Sequence, residues 1–198
     1  MFDPLLRRLV DPPLDPLGRW IARTGLTANR TTLIGLAIGL LAVPLLAFEQ
    51  YFGALVVILL NRLLDGLDGA VARHSHATAF GGYLDIVCDM VFYAAVPVGF
   101  ALARPENAVW AAILLASFIA TGTSFLGRAI VAAQRGESYG GERGGKSFFH
   151  SAGLIEGGET IAAFVLFCLL PSQFPWLAAT MALLCFWTAL VRVLQSRR

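Results

Sequence analysis

Four aspartates, Asp65, Asp68, Asp85 and Asp89, fall within two long apolar segments of a 198-residue chain. A three-residue spacing sets Asp65 and Asp68 on one helix face, and a four-residue spacing does the same for Asp85 and Asp89. The two segments are joined by a short loop, so they are expected to be antiparallel neighbours whose acids converge at one end. Inserting an aspartate at the centre of a membrane helix costs about 2.5 to 3.5 kcal/mol, and like charges at close range drive protonation unless cations neutralise them. Hard oxygen ligands select Mg²⁺, Mn²⁺ or Ca²⁺ over zinc. Two divalent ions would match four carboxylates in charge. Gly66, Gly69 and Ala72 leave the first acidic face without bulk, and Gly81 and Gly82 do the same where the second segment starts. Glycines that weaken a helix in such a place suggest a ligand packed against the backbone. Arg73 closes the face with a guanidinium fork suited to phosphate. Together these groups favour a metal-bound pyrophosphate, such as a nucleotide diphosphate.

The elements that must hold these groups are membrane helices. Charged residues make up 14% of the chain and hydrophobic ones 57%, far from the balance of a soluble domain, and mean hydropathy is +0.70. This excludes a soluble enzyme, a disordered tail and a collagen-like rod. A net charge of +2 gives no sign of nucleic-acid binding. Cys88, Cys168 and Cys185 form no CxxC pair and suggest neither a disulfide framework nor a zinc site. About 20 apolar residues cross a bilayer, and six stretches qualify: approximately Thr31 to Phe48, Tyr51 to Arg73, Phe80 to Ala103, Ala108 to Ala133, Phe148 to Leu170 and Trp176 to Leu194. The fold expected is therefore all-α, a polytopic membrane protein with six transmembrane helices in residues 27–198.

Residues 1–26 are too polar to span. Asp3-Pro4 and Asp15-Pro16 each resemble an N-cap followed by proline at the first helical position, while Leu14, Leu17 and Ile21 share a face. Two short amphipathic helices lying on the membrane surface are expected there. Basic residues accumulate on the cytoplasmic side of membrane proteins. Arg7, Arg8, Arg19, Arg23, Arg30, Arg73, Arg135, Arg143, Lys146, Arg197 and Arg198 lie on the side of the N-terminus, and only Arg104 lies opposite. Both termini are thus expected in the cytoplasm. Gly35-x-x-x-Gly39 permits close helix approach, either within one subunit or across a dimer.

The acidic stretch resembles the signature of the CDP-alcohol phosphotransferases, D-x-x-D-G-x-x-A-R followed by G-x-x-x-D-x-x-x-D. Here it reads Asp65, Asp68-Gly69, Ala72-Arg73, Gly81, Asp85 and Asp89. The loop between Arg73 and Gly81 is one residue shorter than is usual. Thr27-Ala28-Asn29-Arg30-Thr31-Thr32 is similar to the P-N-x-x-T that often precedes the family's first span, with alanine in place of proline. The resemblance implies transfer of a phosphatidyl group from CDP-diacylglycerol to a small alcohol, with release of CMP, by an enzyme of a prokaryotic cytoplasmic membrane that commonly forms homodimers. It implies Mg²⁺ or Mn²⁺ held by Asp65, Asp68, Asp85 and Asp89, with Asp89 also the general base. Asp65, Gly69, Ala72, Arg73 and Gly81 would meet the CDP donor.

The alcohol stays open among glycerol phosphate, serine, inositol phosphate and others. Glu156 and Glu159 share a helix face in or near the membrane. They would either line an acceptor pocket or pair with Arg128 or Lys146. Arg135, Arg143 and Lys146 would either receive an acceptor phosphate or serve only as cytoplasmic charge. His74 and His76 are expected in a solvated loop. A transporter is the rival class, because intramembrane carboxylates also mark ion paths. Transport would favour acids near the midplane of several helices and an internal repeat, neither of which is present.

Overall fold

A computed structural model describes residues 3–75, 77–135 and 155–196. Eight α-helices follow in order: α1 (Asp3–Arg23), α2 (Ala28–Leu40), α3 (Ala42–Ala47), α4 (Tyr51–His74), α5 (Ala79–Ala103), α6 (Ala108–Gln134), α7 (Gly157–Leu169) and α8 (Phe174–Gln195). No strand occurs among the described residues. Four stretches are long and apolar enough to cross a membrane: Ala28–Ala47, Ala79–Ala103, Pro105–Gln134 and Pro171–Gln195. The 24-residue α4 has the length but carries the charged signature. The described part of the expected fifth span, α7, has 13 residues, fewer than a crossing needs; residues 148–154 lie outside the described part.

Proline explains the division of the first span. Pro44 has no N–H for the Leu40 carbonyl and crowds it, and α2 ends there, at Leu40. The N-terminal expectation needs correction. A single helix runs from Asp3 to Arg23 with Pro12, Pro13 and Pro16 inside it, so Asp15 is not an N-cap. Packing overrides the local break signal: Leu14 and Ile21 pack with Leu64, Leu67 and Ala70 of α4. At Gly18 a Cβ would lie 2.5 Å from Ala70 Cβ, a contact that requires glycine. Leu17, expected on the same face, is instead exposed. Gly25, with φ +82°, ends the helix in the left-handed conformation glycine permits.

The acidic helices meet through their side chains, as at Arg62 of α4 and Asp89 of α5, while α2 packs its backbone against both. The small residues of α2 make this close approach possible. Gly35 and Gly39 are buried, and a Cβ on Gly39 would stand 2.8 Å from both Asn61 Nδ2 of α4 and Phe92 Cδ2 of α5. The G-x-x-x-G pair therefore serves packing inside the chain.

Aromatic rings fill the bundle from beside the acids to its far end. Phe100 stacks on Phe174 at 4.4 Å, and Phe164 meets Phe92 and Tyr93 edge-on. At that far end Arg104 donates two hydrogen bonds to Glu49, at 2.9 and 3.1 Å, and holds its carboxyl below the usual carboxylate range. This clasp ties the α3–α4 turn to the end of α5.

Candidate active site

Asp65 and Asp68 project from the second half of α4, and Asp85 and Asp89 from the first half of α5. One oxygen from each of Asp65, Asp68 and Asp85 lies within 4.8 Å of the others, close enough for one ion to touch all three. Asp68 is buried and its Oδ2 lies 2.5 Å from the Thr32 hydroxyl of α2. The same pocket is lined by Thr32, Asn61, Arg62, Cys88 and Asp89. Carboxylate oxygens and a hydroxyl suit a hard divalent cation, so these residues fit the metal that the resemblance implies.

Asp89 stands differently. Its Oδ1 accepts from Arg62 Nη2 at 2.8 Å, and it is not part of the three-carboxylate group. Arg62 also approaches Asp65 Oδ2 at 3.6 Å. It is fixed by bonds from Nε and Nη2 to Asn61 Oδ1, at 2.9 and 2.7 Å, while Asn61 Nδ2 donates to the Gly35 carbonyl at 2.8 Å. The guanidinium lies 4.7 Å from the centre of the Phe92 ring. Sequence reasoning gave neither Asn61 nor Arg62 a role, although an Asn-Arg pair inside an apolar run was a visible signal.

The donor-side residues divide. A Cβ on Gly69 would meet only Arg73 Nη1, at 3.9 Å, so that face is open to a ligand. At Gly81 a Cβ would stand 3.0 Å from Asn29 Oδ1 and 3.2 Å from Thr78 Oγ1; the chain itself occupies that space. Ala72 is half-buried. Arg73 Nε lies 3.8 Å from Asp15 Oδ1, and His74 Nε2 is 2.9 Å from the same oxygen. α1 therefore reaches the end of the signature, which the sequence did not suggest. His74 is tied to Asp15 and not simply solvated; His76 lies outside the described residues.

On the acceptor side, Glu156 and Glu159 form a capping box at the start of α7, in which the Glu156 N–H donates to Glu159 Oε2 at 3.1 Å. This is a structural duty that neither expected reading foresaw. Arg128 Nη1 donates to Ser196 Oγ at 3.4 Å, and Arg135 caps α6. Arg143 and Lys146 lie outside the described residues. Arg192 was missed. It is 6% exposed, its Nη1 donates to the Thr121 carbonyl at 3.3 Å, and its Nε has no hydrogen-bond partner among the described residues. A lone arginine within the apolar last span was the available signal. Gly122, next to Thr121, faces Met90 of α5, with a Cβ there 3.2 Å from its Sδ.

This helical membrane bundle, with acids from two helices drawn to one end, belongs to a class of membrane transferases of phospholipid biosynthesis, and its three-carboxylate group suits a divalent metal. The chain belongs to the CDP-alcohol phosphatidyltransferase family, whose sequence profile matches residues 25–195. It is 50% identical over 194 residues to the inner membrane protein YnjF of Escherichia coli (strain K12), covering 98% of this chain and 94% of that one. It is 36% identical over 98 residues to the archaetidylinositol phosphate synthase of Pyrococcus horikoshii, covering 49% of this chain and 52% of that one. Among solved structures, the phosphatidylinositol phosphate synthase of Mycobacterium tuberculosis in complex with manganese and citrate superposes with a TM-score of 0.61 at 25% identity, covering 93% of this chain and 87% of that one. The form of that enzyme with CDP-DAG bound shares the fold, with a TM-score of 0.58 at 24% identity, covering 93% of this chain and 89% of that one. The family and its signature do not favour the transporter alternative.

Proposed function

We propose that this chain transfers the phosphatidyl group of CDP-diacylglycerol to a hydroxyl of a small phosphorylated alcohol, with inositol phosphate the leading acceptor, and releases CMP. The observation that carries this is the meeting of Asp65, Asp68 and Asp85 oxygens within 4.8 Å, beside a fourth carboxylate. The family supports the CDP-linked donor. The synthases named above, together with the buried Arg192, support a phosphorylated acceptor.

Asp65, Asp68 and Asp85 would hold Mg²⁺ or Mn²⁺, and Asp89 would share in holding a second ion; manganese in the similar solved structure supports this. When bound, such ions neutralise the pyrophosphate and stabilise the departing phosphate of CMP. The open backbone at Gly69 admits the donor, and Ala72 and Arg73 border it. Gly81 serves by holding the α2 and α5 N-termini together around Asn29. Asp89 Oδ1 is held by Arg62, and Oδ2 takes the proton of the acceptor hydroxyl. The acceptor oxygen bonds to the phosphorus that carries diacylglycerol as the bond to CMP breaks, and CMP leaves with the electron pair. Arg192, whose Nε has no partner among the described residues, would serve the acceptor phosphate, with Arg128, Arg135 and Lys146 adding positive charge. Glu156 and Glu159 fix the start of α7 beside it. The excess of Lys and Arg on the side of the N-terminus supports cytoplasmic termini and a site at the inner leaflet. The dimer is an expectation carried by the family alone.

The test supplies purified protein with CDP-diacylglycerol and Mg²⁺ or Mn²⁺, adds inositol phosphate, glycerol phosphate, inositol or serine singly, and follows CMP release. Turnover only with unphosphorylated alcohols would reject the acceptor assignment; turnover only with CDP-choline and diacylglycerol would reverse donor and acceptor. In the same assay Arg192→Gln is expected to raise the acceptor KM by about tenfold or more, as for a lost bond to a charged group, and to leave the donor KM unchanged. Equal changes in both constants would remove Arg192 from the acceptor site.

A further inference from the structure

We propose that Arg62 is a resident cation of the site: it positions Asp89 and competes with a divalent ion for that carboxylate. The inference rests on the proposed binding of cations by Asp65, Asp68 and Asp85.

The geometry is that of a fixed charge and not of a loose ion pair. Arg62 Nη2 is 2.8 Å from Asp89 Oδ1 and Nη1 is 3.6 Å from Asp65 Oδ2, with the arginine side chain only 16% exposed. Two of its N–H groups bond to Asn61 Oδ1, and Asn61 is itself 3% exposed and tied to the α2 backbone. Phe92 and Tyr93 face the guanidinium with ring centres 4.7 and 5.5 Å away, an arrangement that favours a cation. Every side of the group is therefore engaged.

The consequence lies in the charge balance. Of four carboxylates, three bring oxygens together and the fourth is diverted to Arg62. An ion at the three is opposed by Arg62 chiefly through Asp65, whose Oδ2 lies 3.6 Å from Nη1, and keeps Asp68 and Asp85 besides. A second ion, which needs Asp89, must share that carboxylate with a positive charge a few ångströms away, or displace it. Repulsion of that kind in a partly dry site is worth more than a factor of ten in affinity. Arg62 thus makes the second ion weak until substrate phosphates add negative charge, and keeps Asp89 aimed in the meantime.

Mn²⁺ titrations of the purified full-length chain, read by the EPR signal of free Mn²⁺, test this without any turnover. In the unaltered protein one ion is expected to depend on Asp65, being lost in Asp65→Asn, and a weaker one on Asp89. Arg62→Met, which keeps the packing on Phe92, should tighten the Asp89-dependent ion at least about tenfold. The gain should vanish in Arg62→Met/Asp89→Asn, and Arg62→Lys, which keeps the charge, should bind as the unaltered chain does. Unchanged or weaker binding in Arg62→Met, with the Asp65-dependent ion intact, would overturn the proposal and leave the proposed function standing. If the unaltered chain binds no Mn²⁺, both fall. Should Arg62→Met unfold in the absence of metal, recovery of its folded state on adding Mn²⁺ supports the proposal. Failure to recover at saturating Mn²⁺ assigns Arg62 a structural role alone and overturns it.

Discussion

Asp89→Asn is expected to lower transfer by about a thousandfold or more while CDP-diacylglycerol still binds. Loss of a positioned proton acceptor costs about 10² to 10⁴ in rate, and the change also removes a charge from the site. Asparagine keeps the outline of the side chain and an oxygen able to accept from Arg62, whose Nη2 now lies 2.8 Å from Asp89 Oδ1, so the helices have no reason to move. The carboxylates proposed to hold the donor's ion, those of Asp65, Asp68 and Asp85, are unaltered. CMP release and direct donor binding separate the two effects. Near-normal CMP release would show that some other group takes the proton.

Gly39→Val should be strongly damaging to the fold. The first added carbon would stand 2.8 Å from Asn61 Nδ2 and from Phe92 Cδ2, and both residues are buried, Phe92 at 0% and Asn61 at 3% exposure. Neither can swing into open space. Overpacking of this kind costs about 1 to 3 kcal/mol and sometimes more. It would also disturb the Asn61 bonds that hold Arg62. Gly35→Ala provides the contrast, since its added carbon would meet Leu64 Cβ at 3.3 Å and ask for only a slight shift. Thermal unfolding in detergent should place Gly39→Val well below Gly35→Ala. Equal midpoints would mean that α2 moves away from its neighbours more readily than its contacts imply.

What the sequence revealed follows from the cost of misplaced charge and the regularity of the helix. Four aspartates in apolar runs stand out because each is expensive there, and their three- and four-residue spacings leave few arrangements. α4, α5, α6 and α8 begin and end within two residues of the stretches that hydropathy marked. The misses share another cause. Adjacency along the chain suggested that α4 meets α5, but not that the small faces of α2 would pack against both. Asp15-Pro16 has the form of a helix start, yet contact with α4 carries α1 through it. Glu156 and Glu159 invited a pocket reading because their spacing faces them together; the same spacing makes a capping box. Arg62, Asn61 and Arg192 have partners on other helices, and no local pattern points to those.

The two acid-bearing helices are thus both braced by a third helix that contributes no carboxylate of its own. α2 acts as a shim whose thickness is written in Gly35 and Gly39. The spacing of the acidic pocket and its carboxylates are consequently inherited through different residues, so an alteration in that spacer would detune the proposed reaction with every acidic group still in place.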